Sequence, residues 1–131
     1  MTELYRFQKR GVAALQWFVG DRGAALLADD PGLGKTVQIL EYVHRHLRRK
    51  TVVVVCPATV KTNWKREAAT KYRLRAVVLS GTRPPKDAWR RMERGILYVV
   101  NPDILGAWVP HLVRLHPSLV VADEAHLFKS R

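Results

Sequence analysis

The sequence predicts an α/β domain built on a mostly parallel sheet with helices on both faces, and three observations lead there. The runs TVVVVC (51–56), ILYVV (96–100) and SLVVA (118–122) are almost unbroken apolar stretches, as strands buried on both faces require. Longer amphipathic stretches of helical spacing alternate with them. A glycine-bearing loop, Asp29 to Thr36, joins one short apolar run to one such stretch.

The elements follow in order along the 131 residues. Leu4, Phe7, Val12, Leu15, Phe18 and Val19 recur at helical spacing and predict a helix over 4–19. GAALLAD (23–29) reads as a short buried strand running into a glycine-rich turn. Val37, Leu40, Val43 and Leu47 form one apolar side of a helix over 35–49, whose end is basic from His44 to Lys50. Pro57 stops the strand 51–56, and a helix over 60–72 and a strand over 74–79 follow. Ser80 to Pro85 is a turn, before a helix near 85–94. Strand 96–100, a helix over 102–115 and strand 118–122 complete the set. Neither repeat nor linker is visible, so one domain is expected.

Composition narrows the function classes. Hydrophobic residues make up 47% and charged residues 26%, which excludes a disordered or collagen-like chain. No apolar run reaches the ~20 residues of a membrane helix, and the N-terminus lacks the apolar core of a secretory signal. Cys56, the single cysteine, sits in a valine run and reads as a buried thiol. An intracellular protein, cytoplasmic or of the nucleoid or nucleus, is expected. Lys and Arg number 23 against 11 Asp and Glu, a net charge of +12, which favours a polyanion such as nucleic acid as partner.

The chemistry concentrates in two segments. Asp29-Asp30-Pro31-Gly32-Leu33-Gly34-Lys35-Thr36 follows a strand and precedes a helix, the setting of a phosphate-binding loop. Gly32 and Gly34 let successive N–H groups turn toward phosphate oxygens, and the helix N-terminus adds its positive dipole end. Lys35 can reach terminal phosphates, and the Thr36 hydroxyl suits Mg²⁺. Asp29 stands where the general pattern has its first glycine, so the loop is a variant. The second segment, Leu119 to His126, is an apolar strand ending in Asp123-Glu124. One carboxylate can serve Mg²⁺ while its neighbour activates water. Alone, such a pair is more often an acidic helix start; with a phosphate loop upstream, the catalytic reading prevails.

LLADDPGLGKTVQ and VVADEAHLFKS resemble motifs I and II of the Swi/Snf-type ATPases of helicase superfamily 2. LYRFQKRGVAALQW is similar to the opening Q-motif helix of that family, and CPATVKTNWKRE to its motif Ia, with Pro57, Asn63, Trp64 and Glu67 in place. The resemblance runs from residue 4 to residue 130 and implies the first RecA-like lobe of a P-loop NTPase using ATP and Mg²⁺. It implies that Gln8 contacts adenine and that Asp29, Gly32, Leu33, Gly34, Lys35 and Thr36 cradle the nucleotide. Thr36 and Asp123 would serve the metal, with Lys35, Asp123 and Glu124 forming the catalytic set. His126 would couple the nucleotide site to the motor, and Lys61, Thr62 and Asn63 would lie by the DNA backbone. The DNA would be double-stranded or branched and read without regard to sequence. Asp30-Pro31 replaces the usual Glu-Met pair, and Asn101-Pro102 the usual Thr-Tyr, so no DNA contact is implied at Asn101.

Basic residues add to this picture: Lys61, Lys65, Arg66, Lys71 and Arg73 on one helix and its exit, and Arg83, Lys86, Arg90, Arg91 and Arg94 on another segment. Phosphate contacts by such residues give affinity without sequence preference. For any one of them taken singly, a solvated helix face is the ordinary role. His44 with His46, and His111 with His116, are poorly spaced for a metal. Trp17, Trp89 and Trp108 read as packing residues, and Trp64 gains weight only from its motif.

The chain ends at Arg131, whereas the family continues into another strand and a second RecA-like lobe. That lobe, in cis or in trans, would bring the arginines that phosphoryl transfer needs, a contribution of ~10³–10⁵ in rate. The family's next strand lies between the phosphate-loop strand and the Asp-Glu strand, so unpaired edges at the heart of the sheet and marginal stability are expected. Two alternatives accompany the motor-lobe reading: a nucleotide- or DNA-binding module without turnover, and a helicase-like subunit of a restriction system.

Overall fold

The computed structural model describes residues 24–28 and 33–123. The expected helix over 4–19 lies outside them. Strands β1 (Ala24–Ala28), β2 (Val52–Val55), β3 (Ala76–Val78), β4 (Leu97–Val100) and β5 (Leu119–Asp123) form one sheet in the order β1-β5-β2-β4-β3. Every pairing is parallel. Helices α1 (Leu33–His46), α2 (Lys61–Tyr72), α3 (Ala88–Arg91) and α4 (Pro102–Leu112) connect the strands, with 3₁₀ turns at Ala58–Val60 and Val113–Leu115. None of the described helices is long and apolar enough to cross a membrane.

The strand order explains why both faces are covered. From β1 to β2 to β3 the chain steps one way across the sheet, and from β3 to β4 to β5 it steps back. Crossovers between parallel strands are right-handed, so a reversal of direction moves the connecting helix to the other face. Side-chain parity agrees. Val52, Val54, Leu97, Val99, Leu119 and Val121 pack with Ile39, Leu40 and Val43 of α1 and with Trp64 and Ala68 of α2. Val53, Val55, Tyr98, Val100, Val120 and Ala122 pack on the other face with Ile104, Leu105 and Leu112 of α4. Cys56 is buried on the α1–α2 side, as its valine run suggested.

Three expectations need correction. The helix near 85–94 contracts to the single turn Ala88–Arg91, because Pro84-Pro85 delays its start and Met92 is already extended. The strand over 74–79 keeps only Ala76–Val78, since α2 ends at Arg73 in the left-handed conformation (φ 54°) and Leu74 still bonds back to Ala68. The largest correction concerns the centre of the sheet. No strand separates β1 from β5: Ala24 pairs with Leu119, and the register continues to Ala28 with Asp123. β5 is bonded to β1 on one side and β2 on the other, so its backbone groups are satisfied and the expected gap is closed.

The loops at the amino ends of the strands are tied to one another. Gly95 N–H donates to Thr51 Oγ1 at 2.8 Å, Ser118 N–H to Thr51 O at 2.8 Å, and Leu97 N–H to Arg75 O at 3.0 Å. Gly95 has φ +83°, and a Cβ there would meet Arg49 O at 2.8 Å, while Gly81 has φ +87° with open space around it. Gly81→Ala therefore carries only the conformational cost, about 1 kcal/mol, and Gly95→Ala that cost plus a backbone clash. Urea midpoints should fall in both variants and clearly further in Gly95→Ala.

Tyr98 is 1% exposed and its hydroxyl donates to Glu93 O at 2.7 Å. Burial raises its phenol above the ordinary value. The folded state thus holds this proton more tightly than the unfolded chain does. That contribution is complete below the ordinary tyrosine range, near 10, and is lost as pH rises through the raised folded value. Tyr98→Phe should cost about 1 kcal/mol near neutrality and flatten the alkaline fall of stability, read as denaturation midpoints against pH.

Candidate functional site

In a parallel sheet with these crossovers, the loops after the strands gather at one edge, where ligands of open α/β sheets bind. Leu33, Gly34, Lys35 and Thr36 open α1, the helix that follows β1. Thr36 is buried. Asp123 closes β5 and pairs across the ladder with Ala28, the last residue of β1, so the loop's entry strand and the acidic strand end side by side. Gln8, Asp29, Gly32, Glu124 and His126 lie outside the described residues.

Asp123 is 6% exposed, and its carboxylate is held by a neighbour that the sequence did not single out as a partner. It follows Leu119 and Val121 in strand parity and so faces the α1–α2 layer. There Trp64, one turn into α2 and fully buried, donates its indole Nε1–H to Asp123 Oδ2 at 3.1 Å. A buried carboxylate needs such donors, and this one also orients it. The sequence signal was the tryptophan of the motif Ia segment, which carried no hint of a partner 59 residues away.

The motif Ia residues divide. Lys61 is the first residue of α2, where the helix dipole disfavours a cation. Two acceptors offset this: Lys61 Nζ donates to Leu79 O at 2.9 Å and to Asn101 Oδ1 at 2.8 Å. One ammonium thereby joins the segments that follow β2, β3 and β4. Asn101 is buried and precedes α4; with its oxygen committed to Lys61, it makes no side-chain cap on that helix. Thr62 is exposed, and Asn63 is half-buried with its Oδ1 accepting from Arg66 Nη2 at 2.7 Å. Thr36 and Asp123 thus share the carboxyl edge with Lys61, Thr62 and Asn63.

The donor set at this edge is a threonine hydroxyl and a buried carboxylate. Hard oxygen donors of this kind suit Mg²⁺, which takes one or two carboxylates and completes its shell with water and phosphate. The histidines have other roles: His111 Nδ1 accepts the Trp89 backbone N–H at 3.2 Å, and the His44 and His46 rings lie against Tyr72 and Tyr42. Trp108 donates its indole N–H to Gly81 O at 2.9 Å, a structural use like that expected of it.

The SNF2-related domain matches residues 7–131. The chain belongs to the SNF2-related domain family. Among its relatives, the DNA excision repair protein CSB of Oryza sativa subsp. japonica is 39% identical over 74 residues, covering 54% of this chain and 6% of that protein. Chromodomain-helicase-DNA-binding protein 6 of Homo sapiens is 26% identical over 148 residues, covering 99% of this chain and 6% of that protein. The chain thus spans a small part of the length of both. The solved Sulfolobus solfataricus SWI2/SNF2 ATPase core in complex with dsDNA aligns with 92% of this chain and 31% of its own, at 19% identity and a TM-score of 0.44.

Trp64→Phe keeps most of the packing and removes the donor, leaving a buried charged acceptor short of one bond. A loss of about 1–3 kcal/mol is expected from denaturation midpoints. In a double-mutant cycle with Asp123→Ala, the combined loss should fall short of the sum of the two single losses, because each change breaks the same bond.

Proposed function

We propose that this chain is the ATP-binding lobe of a DNA-dependent ATPase that couples hydrolysis to movement on, or remodelling of, DNA. The family match across nearly the whole chain carries the reading. The placement of Thr36 and Asp123 on one sheet edge supports it. Gln8 is assigned to adenine, and Asp29, Gly32, Leu33, Gly34 and Lys35 to the phosphates. The loop's backbone N–H groups and the start of α1 offer donors and a positive dipole end to those oxygens.

Thr36 and Asp123 would hold Mg²⁺, which when bound neutralises charge on the phosphates. Glu124 follows Asp123 directly and is assigned the proton of the attacking water. Trp64 acts through Asp123 as a positioning residue, keeping the carboxylate aimed without reorganisation when nucleotide enters. His126 would pass the nucleotide state to the remainder of the motor. Lys61, Thr62 and Asn63 form the proposed DNA contact. Of these, exposed Thr62 is free to meet a phosphate, while Lys61 holds the surrounding loops in shape.

Turnover would require the second RecA-like lobe, in cis or in trans, to bring positive charge to the transferring phosphoryl group, a contribution of ~10³–10⁵ in rate. The partner is double-stranded or branched DNA held without sequence preference, and the setting is intracellular. The test is ATP binding and turnover with and without duplex and forked DNA, with a second lobe of the family supplied. Lys35→Ala should abolish nucleotide binding. Glu124→Gln should keep binding and lower turnover by at least about a hundredfold. Turnover indifferent to both substitutions would overturn the assignment.

A further inference from the structure

β3 ends the sheet, and its outer side is open. Arg75 O accepts the Leu97 N–H, and Leu79 N–H donates to Val99 O, both across to β4. Backbone groups alternate in direction along a strand, so Ala76 and Val78 point their N–H and C=O groups outward. Among the described residues no strand lies beyond β3 to take them up. Hollows flank this edge on both faces. The chain between β3 and β4 forms only the one-turn α3, which leaves the α4 face of β3 incompletely roofed. A cavity of about 330 Å³ results, floored by Val77, Leu79, Met92 and Tyr98 and walled by Trp108. Val77 is 37% exposed and joins the core of neither face. On the α2 side a second hollow, of about 360 Å³, lies against Ala69, Leu74 and Ala76. The rim is cationic. Arg75 and Arg91 border the first hollow, Arg73 and Arg75 the second, and all three are exposed. Glu93, the carboxylate that lines the first, is already paired with Arg75. Arg73 and Arg91 have no carboxylate within ion-pair distance among the described residues.

From the open ladder, the paired hollows and the cationic rim, we propose that the outer edge of β3 docks an acidic, extended segment of another protein, which joins the sheet as a further strand. Strand addition draws affinity from main-chain bonds and selectivity from pockets for alternate side chains. Alternate side chains of an added strand project to opposite faces, and each face of this edge has a hollow to receive them. Such a segment carries apolar residues at alternate positions for the Val77 hollow, and Asp or Glu at its ends to meet Arg73, Arg75 and Arg91. Other occupants fit less well. A second copy of this chain would set the same three arginines against one another, on molecules that each carry a net charge of +12. The backbone of a nucleic acid has no amides to continue the ladder, and its phosphates gain nothing from an apolar floor. This site is independent of the proposed function. β2 and β4 separate β3 from β5 and Asp123, and docking here requires neither nucleotide nor DNA.

The experiment uses the 131-residue chain and a fluorescent peptide, Glu-Glu-Ile-Thr-Leu-Thr-Glu-Glu, blocked at both ends. Anisotropy should show saturable binding. Hydrogen exchange at the Ala76 and Val78 amides should slow by about tenfold or more when the peptide is added, with a smaller change at Val77, whose amide faces β4. Val78→Pro removes an outward N–H while leaving the ladder to β4 intact, and should weaken binding about tenfold. Should that variant melt early, Arg91→Glu, an exposed change outside the ladder, should weaken binding by about the same factor. N-methylating the peptide at alternate residues leaves the protein untouched, and one of the two alternations should abolish binding. No binding, unchanged exchange at Ala76 and Val78, or binding that survives both N-methylated forms overturns the inference. Equal affinity for a peptide with Ser in place of Ile and Leu would make the edge a general polyanion contact. Self-association of the chain that Val78→Pro abolishes would give the edge to a second copy. Either result overturns the inference likewise.

Discussion

β5 is hydrogen-bonded to β1 on one side and to β2 on the other, and the position of each described site residue follows from that pairing. A parallel ladder fixes register along the strands. Ala28 opposite Asp123 therefore means that the phosphate-loop segment and the acidic strand end together. The same ladder sets parity, and parity sends Asp123 toward α2, where Trp64 waits. A slip of one residue would turn Asp123 toward the α4 layer and separate it from its donor. The apolar residues of β5 thus serve two purposes: their burial stabilises the sheet, and their alternation aims a charge.

The fold class and most elements were legible because burial on both faces leaves an unmistakable mark. A run such as Val52 to Val55 has no solvated face to alternate with, and its short β-branched stretch stopped by Pro57 suits a central strand. Legibility declined at the sheet margin. β3 is an edge strand with Val77 exposed, so its pattern carried less information, and its start was decided by the left-handed turn at Arg73. The helix near 85–94 shrinks to one turn because the two prolines before it restrict where it can begin and Met92 is already extended. The adjacency of β1 and β5 was out of reach for another reason. Strand order depends on which ladders are closed, and apolar runs of equal quality do not say which neighbours they take.

The candidate site was legible as a set of residue types and much less as a set of contacts. The loop announces phosphate chemistry through local spacing, and the acidic pair takes on that meaning only with the loop upstream. The partners that hold the described edge together are long-range: Trp64 with Asp123, and Lys61 with Asn101 across 40 residues. Lys61 shows how chemistry at one position is redirected by its surroundings. Its charge suggested a phosphate contact, yet at the start of α2 the ammonium is drawn inward by a strand-end carbonyl and an amide oxygen. Asn101, a departure from the family's usual residue there, then has a role that does not involve DNA: it is the acceptor that makes this arrangement possible.

The separation of the two sheet edges bears on what the large positive charge is for. Strands of four or five residues rise about 3.3 Å per residue and place the opposite edges roughly 13–16 Å apart, with an interior of apolar side chains between them. At physiological ionic strength the screening length is near 8 Å, so cations at the amino edge contribute little field to a nucleotide at the carboxyl edge. The phosphate binding proposed for the start of α1 does not call for them either. Nor do they stabilise the fold. The Arg45–Glu41 and Arg75–Glu93 pairs are exposed and of little worth, the half-buried Glu67 pairs with Lys71 and with none of these cations, and like charges crowded on neighbouring loops repel one another. That concentration of cations therefore costs stability without a return inside the fold.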